Sequence, residues 1–216
     1  MEEKVLIAGE ALKRNKMAVY YAETKDEVLP IVLSLLKKGE VIGMGGCTSA
    51  MECGVWAYLK KCGDYNFLDR IPLENEKDKQ LLCHYMLLAN TFISGANAIT
   101  ENGELYNVDG NSNRVSNIAY GAEQVIVIAG KNKIVKDLGE AIYRVKTVAA
   151  PKNALRRKVN TPCAKTGKCI SLNLPSPTMT DGCRCEDRMC CNYLVSAQQR
   201  YENRIKVILV NEELGF

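Results

Sequence analysis

The sequence has very little histidine, tryptophan or phenylalanine. Among 216 residues there are one histidine, one tryptophan and three phenylalanines. The single histidine, His84, falls inside an apolar helical pattern, so we expect a packed side chain and not a ligand. A serine–histidine catalytic triad therefore has no support.

Long apolar runs are also missing. The longest, at 125–130 and 207–210, are far shorter than the roughly 20 residues that cross a bilayer. The first residues, MEEKVLIAGEALKRN, begin with two acids where a secretory signal carries positive charge. We therefore expect a soluble, cytoplasmic protein with no membrane partner.

The charge shows no excess of one sign along the chain. The net charge of +4 comes from 29 basic and 25 acidic residues that are interleaved. There is no lysine or arginine stripe and no aromatic platform of the kind that binds nucleic acid. Nucleic acid is not an expected partner, whereas an oligomer is compatible with this composition.

Short apolar strands alternate with helical patterns. Helical spacing covers 3–22, 25–38, 47–62, 76–89 and 134–150, and strand patterns cover 40–46, 65–68, 91–100 and 124–130. Because several strand patterns are apolar on both faces, they predict an α/β class with a mainly parallel sheet that helices cover on both sides. Asn102-Gly103 predicts the turn of a hairpin inserted near the middle of this sheet.

The alternation of strand and helix patterns ends at Pro151. We predict an α/β domain over 1–160, a cysteine-rich segment over 161–192, and a C-terminal helix or strand over 193–216 that completes the α/β domain.

A glycine loop follows the predicted strand at 40–46. Gly43, Gly45 and Gly46 let the backbone approach a ligand, and Thr48 and Ser49 begin the next helix, whose free N–H groups favour an anion. The loop is neither a dinucleotide fingerprint nor a Walker loop, since no lysine follows the glycines. A tight turn without a ligand is the alternative.

Polar side chains accumulate in the central segment FISGANAITENGELYNVDGNSNRV. The candidates for ligand binding are Asn97, Glu101, Asp109, Asn113 and Arg114. Polar side chains at strand ends of an open α/β sheet tend to line the ligand crevice. The alternative for Asn102-Gly103 and Asp109-Gly110 is that they only form turns.

Six of the ten cysteines lie within 29 residues. Four of these six would bind a metal, and the six are Cys163, Cys169, Cys183, Cys185, Cys190 and Cys191. In a reducing compartment, such a group indicates zinc or a [4Fe–4S] cluster rather than disulfides. Three roles remain open for these cysteines. They could hold a metal that keeps the tail folded, hold a cluster that carries electrons, or act as redox-sensing thiols. Cys47, beside the glycine loop, is expected to have a lowered pKa.

Three stretches resemble the LUD (lactate-utilization) domain proteins of bacteria. They are EVIGMGGCTS, SGANAITENGELYNVDGNSNRV and QVIVIAGKNKIVKDLGEAIYRV, and the resemblance covers about residues 15–160. Single-domain relatives end in a similar cysteine pattern, which Thr161-Pro162-Cys163, Gly167-Lys168-Cys169 and Arg188-Met189-Cys190 fit. The longer LNLPSPTMTDG stretch moves the third cysteine to Cys183 or Cys185, and the doubled Cys190-Cys191 leaves the fourth ambiguous.

The resemblance implies a Rossmann-like fold of the NagB, ribose-5-phosphate isomerase and coenzyme A transferase type. It also implies an accessory or electron-transfer role in oxidising lactate or a similar 2-hydroxy acid, with iron–sulfur or flavin partner proteins. The chain has no nicotinamide or flavin motif of its own. By analogy with the transferases, Glu101 would be catalytic in an acyl- or coenzyme-A-handling enzyme. The third hypothesis, after the lactate-utilization role and the acyl- or coenzyme-A-handling enzyme, is a non-catalytic binding module whose tail is stabilised by zinc.

Overall fold

Two β-sheets organise the molecule, which we describe over all residues 1–216 from a computed structural model. The strands are β1 (Ala18–Ala22), β2 (Val41–Met44), β3 (Asn66–Leu68), β4 (Thr91–Ser94), β5 (Ala98–Thr100), β6 (Leu105–Asp109), β7 (Gln124–Gly130), β8 (Ile134–Val135), β9 (Asn192–Ser196) and β10 (Ile205–Val210). Six of them form a wholly parallel sheet in the order β1-β10-β7-β4-β2-β3, and the other four form a second sheet in the order β8-β5-β6-β9.

Nine α-helices connect and cover the strands. They are α1 (Glu3–Arg14), α2 (Val28–Leu35), α3 (Thr48–Glu52), α4 (Val55–Cys62), α5 (Glu76–Tyr85), α6 (Asn113–Ser116), α7 (Leu138–Arg144), α8 (Ala150–Arg157) and α9 (Pro162–Thr166). A π-helical turn at Val145–Ala149 joins α7 to α8. None of the helices has the length and apolar character that a membrane span requires.

The central strand β7 is buried on both faces. Ile126 and Ile128 pack in a core with residues of α2, α3 and α4, whereas Val125 and Val127 pack in a core with residues of α1 on the other side. This alternation follows from the two-residue period of a strand. It confirms the predicted α/β class with helices on both faces of a parallel sheet.

The predicted helix over 3–22 is wrong in its second half. Helix α1 ends at Arg14, the chain turns at Lys16 with a φ of 64°, and Ala18–Ala22 forms the edge strand β1. This strand pairs with β10 at the other end of the sequence, from Ala18 opposite Lys206 to Ala22 opposite Val210. Local spacing could not reveal a partner so distant in the chain.

The pattern at 91–100 is two strands rather than one. Strand β4 belongs to the large sheet and β5 to the small one, with Gly95 in the link between them. Strands β5 and β6 form the expected hairpin, but it lies in the small sheet and not near the middle of the parallel one. The turn of this hairpin packs on the end of α1. The Asn15 side-chain amide donates to the carbonyl oxygens of Asn102 and Gly103 there, at 2.9 and 3.0 Å.

The cysteine-rich segment runs from α9 to the start of β9. Strand β9 pairs with β6, so the segment is held between the small sheet and the α7–α8 region. The chain then returns to the large sheet, where β10 lies between β1 and β7.

Candidate functional site

A cavity of about 1070 Å³ opens where β2 and β4 end. Seven of the ten residues predicted to bind a ligand line it: Gly45, Gly46, Thr48, Asn97, Asp109, Asn113 and Arg114. The loops after parallel strands meet at this edge of the sheet, as expected for an open α/β fold. The structure therefore brings the glycine loop and the polar central segment together around one space.

Three predicted residues do not line this cavity. Gly43 lies within β2, where an added Cβ would be 2.9 Å from Met86 Cγ. Ser49 is fully buried beneath the loop. Glu101 lies in the β5–β6 turn, where its backbone N–H donates to the Val135 carbonyl at 2.9 Å. The structure thus separates Glu101 from the other predicted ligand-binding residues.

The Arg114 guanidinium organises the polar central segment. All five of its N–H groups have an acceptor, because Nε bonds to Asp109 and each terminal nitrogen bonds to two oxygens. The acceptors on the terminal nitrogens are Gly95 O at 3.0 Å, Asn107 Oδ1 at 2.6 Å, Asn97 Oδ1 at 2.7 Å and Val108 O at 2.9 Å. A direct bond from Arg114 to a ligand would break one of these bonds, so its visible function is to position the loops.

Lys133 is a site residue that sequence reasoning missed. It lines the cavity, only 4% of its surface is exposed, and its Nζ donates to Ser49 Oγ at 2.9 Å. Burial lowers the pKa of Lys133 to about 8, and the nearby Arg144 and Arg114 charges act in the same direction. Its position just after β7, at the same sheet edge as the glycine loop, is the signal that could have identified it.

Arg70, Arg156 and His84 were missed as well. An added Cβ on Gly46 would be 3.5 Å from Arg70 Nη2 and 3.8 Å from Arg156 Nη2, so two guanidinium groups lie beside the glycine loop. His84 is exposed on α5 and lines the same cavity. The expectation of a packed histidine was wrong, because His84 is exposed and helix α5 has no buried residue.

Cys47 also differs from its prediction. The thiol is buried and accepts the Ala50 N–H at 3.4 Å, as the cap of the five-residue helix α3. Burial raises the pKa of Cys47, and this effect exceeds the opposing influence of Lys133.

A second, enclosed cavity lies within the cysteine-rich segment. Cys163, Cys169, Cys183 and Cys190 line it, together with the aromatic rings of Tyr106 and Tyr193. The volume of this cavity is about 30 Å³. The other two candidate cysteines do not line it: Cys185 Sγ lies 3.3 Å from Cys183 Sγ, and the exposed Cys191 thiol donates to the Arg188 carbonyl at 3.3 Å.

The family assignment comes from the length of chain that matches. A family model for the LUD domain matches residues 7–210. The chain belongs to the LUD domain family. No curated protein gives a significant match.

One of three similar solved structures supports the fold of this LUD domain over its whole length. A DUF162 family protein from Deinococcus radiodurans is similar over 96% of both chains, with a TM-score of 0.52 and 15% sequence identity. A D-ribose-5-phosphate isomerase in complex with phospho-erythronic acid is similar over 62% of this chain and 63% of its own, at 15% identity and a TM-score of 0.38. The eIF2B beta subunit from Chaetomium thermophilum covers 54% of this chain and 44% of its own, at 17% identity and a TM-score of 0.36.

The four thiols that share the enclosed cavity do not form a ready site for a single metal ion. No three histidine, cysteine or acidic side chains approach closely enough to hold one metal ion, as tetrahedral zinc would require with Zn–S bonds of about 2.3 Å. A cubane cluster spaces its ligand sulfurs more widely. Burial raises the pKa of Cys190 to about 12, helped by the neighbouring thiols of Cys163 and Cys169, so a cationic centre is needed for the Cys190 thiol to ionise at neutral pH.

Two basic side chains hold the loops that carry these thiols. Lys146 Nζ donates to Ser171 Oγ and to the carbonyl oxygens of Thr178 and Asp181, at 2.8 to 2.9 Å. Arg188 donates to the carbonyl oxygens of Cys190 and Cys183, at 2.8 and 3.0 Å. Four cysteines thus line one cavity, on loops that these two side chains fix, and four thiolates are the ligand set that a [4Fe–4S] cluster takes.

The two cavities of the LUD domain share a wall. Arg188 and Met189 line both the large cavity and the enclosed thiol cavity. A ligand in the first and a redox group in the second would thus be separated by a single stretch of chain.

Proposed function

We propose that this LUD domain binds a small organic anion, such as lactate or a similar 2-hydroxy acid, in the large cavity and holds a [4Fe–4S] cluster at four cysteines. The four ligands would be Cys163, Cys169, Cys183 and Cys190. The protein would serve as an accessory or electron-transfer component in oxidising that acid. The shared wall formed by Arg188 and Met189 is the observation that carries the proposal.

In this proposal, side chains of the large cavity bind the acid, and the cysteines hold the cluster that transfers electrons. Lys133 and the arginines beside Gly46 supply positive charge for a carboxylate. A bound cluster would supply one-electron transfer. Because the chain has no nicotinamide or flavin motif, we propose that iron–sulfur or flavin partner proteins complete the oxidation.

The test is metal analysis of protein purified without oxygen. We expect iron and sulfide, with absorbance near 400 nm that bleaches with dithionite. Cys163→Ser, Cys169→Ser, Cys183→Ser and Cys190→Ser should each lower the iron content. The matched control is Cys191→Ser, which removes a cysteine of the same segment that does not line the enclosed cavity and should retain the cluster.

One result would replace the redox role with a structural one. A colourless protein with one zinc ion and no iron would indicate a zinc-stapled binding module. No structural observation favours the second hypothesis, an acyl- or coenzyme-A-handling enzyme, since Glu101 lies outside the large cavity.

A further inference from the structure

Lys133 brings an uncompensated positive charge to the inner part of the large cavity. None of the ion pairs in the molecule includes it. An ammonium group has three N–H donors, and the only hydrogen bond of Lys133 Nζ is to Ser49 Oγ. A buried charge is costly unless a partner of opposite sign balances it. The two remaining donors are available to an anionic group in the cavity that Lys133 lines.

The space around Lys133 Nζ is narrow. An added Cβ on Gly95 would be 3.6 Å from Lys133 Nζ and 3.2 Å from Cys47 Sγ. Glycine at this position therefore leaves room for a small group beside the ammonium. A side chain at position 95 would fill this space, so the glycine keeps the ammonium accessible from the cavity.

A second group of positive charges lies beside Gly46, in the wall of the same cavity. Arg70 and Arg156 flank Gly46, and neither forms an ion pair. The Arg156 side chain bonds only to the neutral Asn153 Oδ1, at 2.8 and 3.3 Å. Two guanidinium groups close together repel each other until an anion lies between them, and paired guanidiniums suit a phosphate.

We propose that the cavity takes a small molecule with two separated anionic groups, a carboxylate bound by Lys133 and a phosphate or second carboxylate bound by Arg70 and Arg156. This inference rests on the proposed function and narrows its ligand class from an organic anion to a doubly anionic acid. It also assigns separate tasks to Lys133 and to the two arginines beside Gly46.

Three compounds with one carbon skeleton test the inference by calorimetry on the anaerobically purified full chain. 3-Phosphoglycerate carries both anionic groups, glycerate carries only the carboxylate, and glycerol 3-phosphate carries only the phosphate. We expect 3-phosphoglycerate to bind at least about tenfold more tightly than either, since a charge-assisted hydrogen bond contributes roughly 1.5–3 kcal/mol.

Substitutions should distinguish the contribution of Lys133 from that of the two arginines. Lys133→Gln should lower affinity for 3-phosphoglycerate about tenfold and leave glycerol 3-phosphate unchanged, whereas Arg156→Met should weaken both phosphate compounds. Lys152→Met is the control, because Lys152 is an exposed lysine of the same helix α8 that does not line the cavity. The melting temperature of each variant checks that it is folded.

Two results would overturn the inference. One is equal binding of the three compounds, or an affinity for 3-phosphoglycerate that Lys133→Gln does not change. The other is binding of lactate with no binding of 3-phosphoglycerate at millimolar concentration, which would leave the proposed function intact. Failure of the proposed function would appear separately, as protein without iron that binds no 2-hydroxy acid.

Discussion

Arg114 Nε donates to Asp109 Oδ1 at 2.9 Å, and the other oxygen of this carboxylate accepts the backbone N–H groups of Arg114 and Val115. One carboxylate therefore both pairs with the arginine and caps the helix that carries it. Both side chains are nearly buried, with 12% and 10% of their surface exposed. The pair fixes the end of β6 and the start of α6 at the wall of the large cavity.

Arg114→Lys should destabilise the protein. A lysine offers three donors from one point and cannot reach the five acceptors that Arg114 satisfies, so the buried Asn107 oxygen loses its partner and Asn97 Oδ1 keeps only the Val108 N–H. We expect a loss of roughly 2–4 kcal/mol in the free energy of unfolding, measured by urea titration. Arg157→Lys, at an exposed position of α8, should change little. Equal stability of the two variants would refute the positioning role.

Lys133→Met should stabilise the ligand-free protein at neutral pH. Below about pH 8, both the folded and the unfolded wild type carry the Lys133 charge, and the folded state bears the full cost of burying it. Between pH 8 and the ordinary lysine pKa near 10.5, the folded state loses this proton first, so the wild type gains stability as the pH rises.

The stability difference between Lys133→Met and wild type should therefore shrink as the pH rises from 7 to 10. We expect a difference on the order of 1–3 kcal/mol at pH 7. The charged or titratable groups that influence Lys133 are Cys47, Arg144, Arg114 and Glu52, and a Cys47→Ser background removes the thiol among them. A difference that is independent of pH would contradict the assigned pKa.

Gly103→Ala should destabilise the hairpin where it packs on α1. Gly103 has a φ of +80°, and an added Cβ would be 2.5 Å from the backbone carbon of Ala11. Gly39 is a matched control, with a φ of +83° and open space around it. We expect about 1 kcal/mol for Gly39→Ala, from the backbone conformation alone, and several kcal/mol for Gly103→Ala. Thermal unfolding of both variants would show whether the contact adds to the conformational cost.

Glu101→Gln should leave anion binding unchanged. Glu101 lies in the β5–β6 turn and does not line the large cavity, so its charge has no direct contact with a ligand there. Calorimetry with lactate on wild type and variant measures this. A loss of binding, or a coenzyme A transferase activity that disappears with Glu101→Gln, would restore the acyl-transfer reading.

The sequence predicted correctly those features that depend on residues close together in the chain. The run QVIVIAG is apolar and β-branched on both faces, which suits only a strand covered on both sides, and it forms the central strand β7. The turn at Asn102-Gly103 and the clustering of six cysteines were equally readable, because each depends on residues that are close in the chain.

The candidate site was only partly predictable. The glycine loop and the central segment were found because glycines and polar residues at strand ends are unusual in any fold. Lys133, Arg70 and Arg156 were missed because they look like ordinary surface cations in a sequence with 29 basic residues. Only their placement beside the glycine loop distinguishes them.

The sequence by itself determined the α/β class, the family resemblance and the presence of a clustered thiol segment. The tertiary structure decided that 18–22 is a strand, that Lys133 is buried against Ser49, and which four thiols face one cavity. The physical reason is distance along the chain: β1 finds its partner in β10, and Ser49 and Lys133 are 84 residues apart. Such contacts form only when the whole sheet assembles, so no local pattern records them.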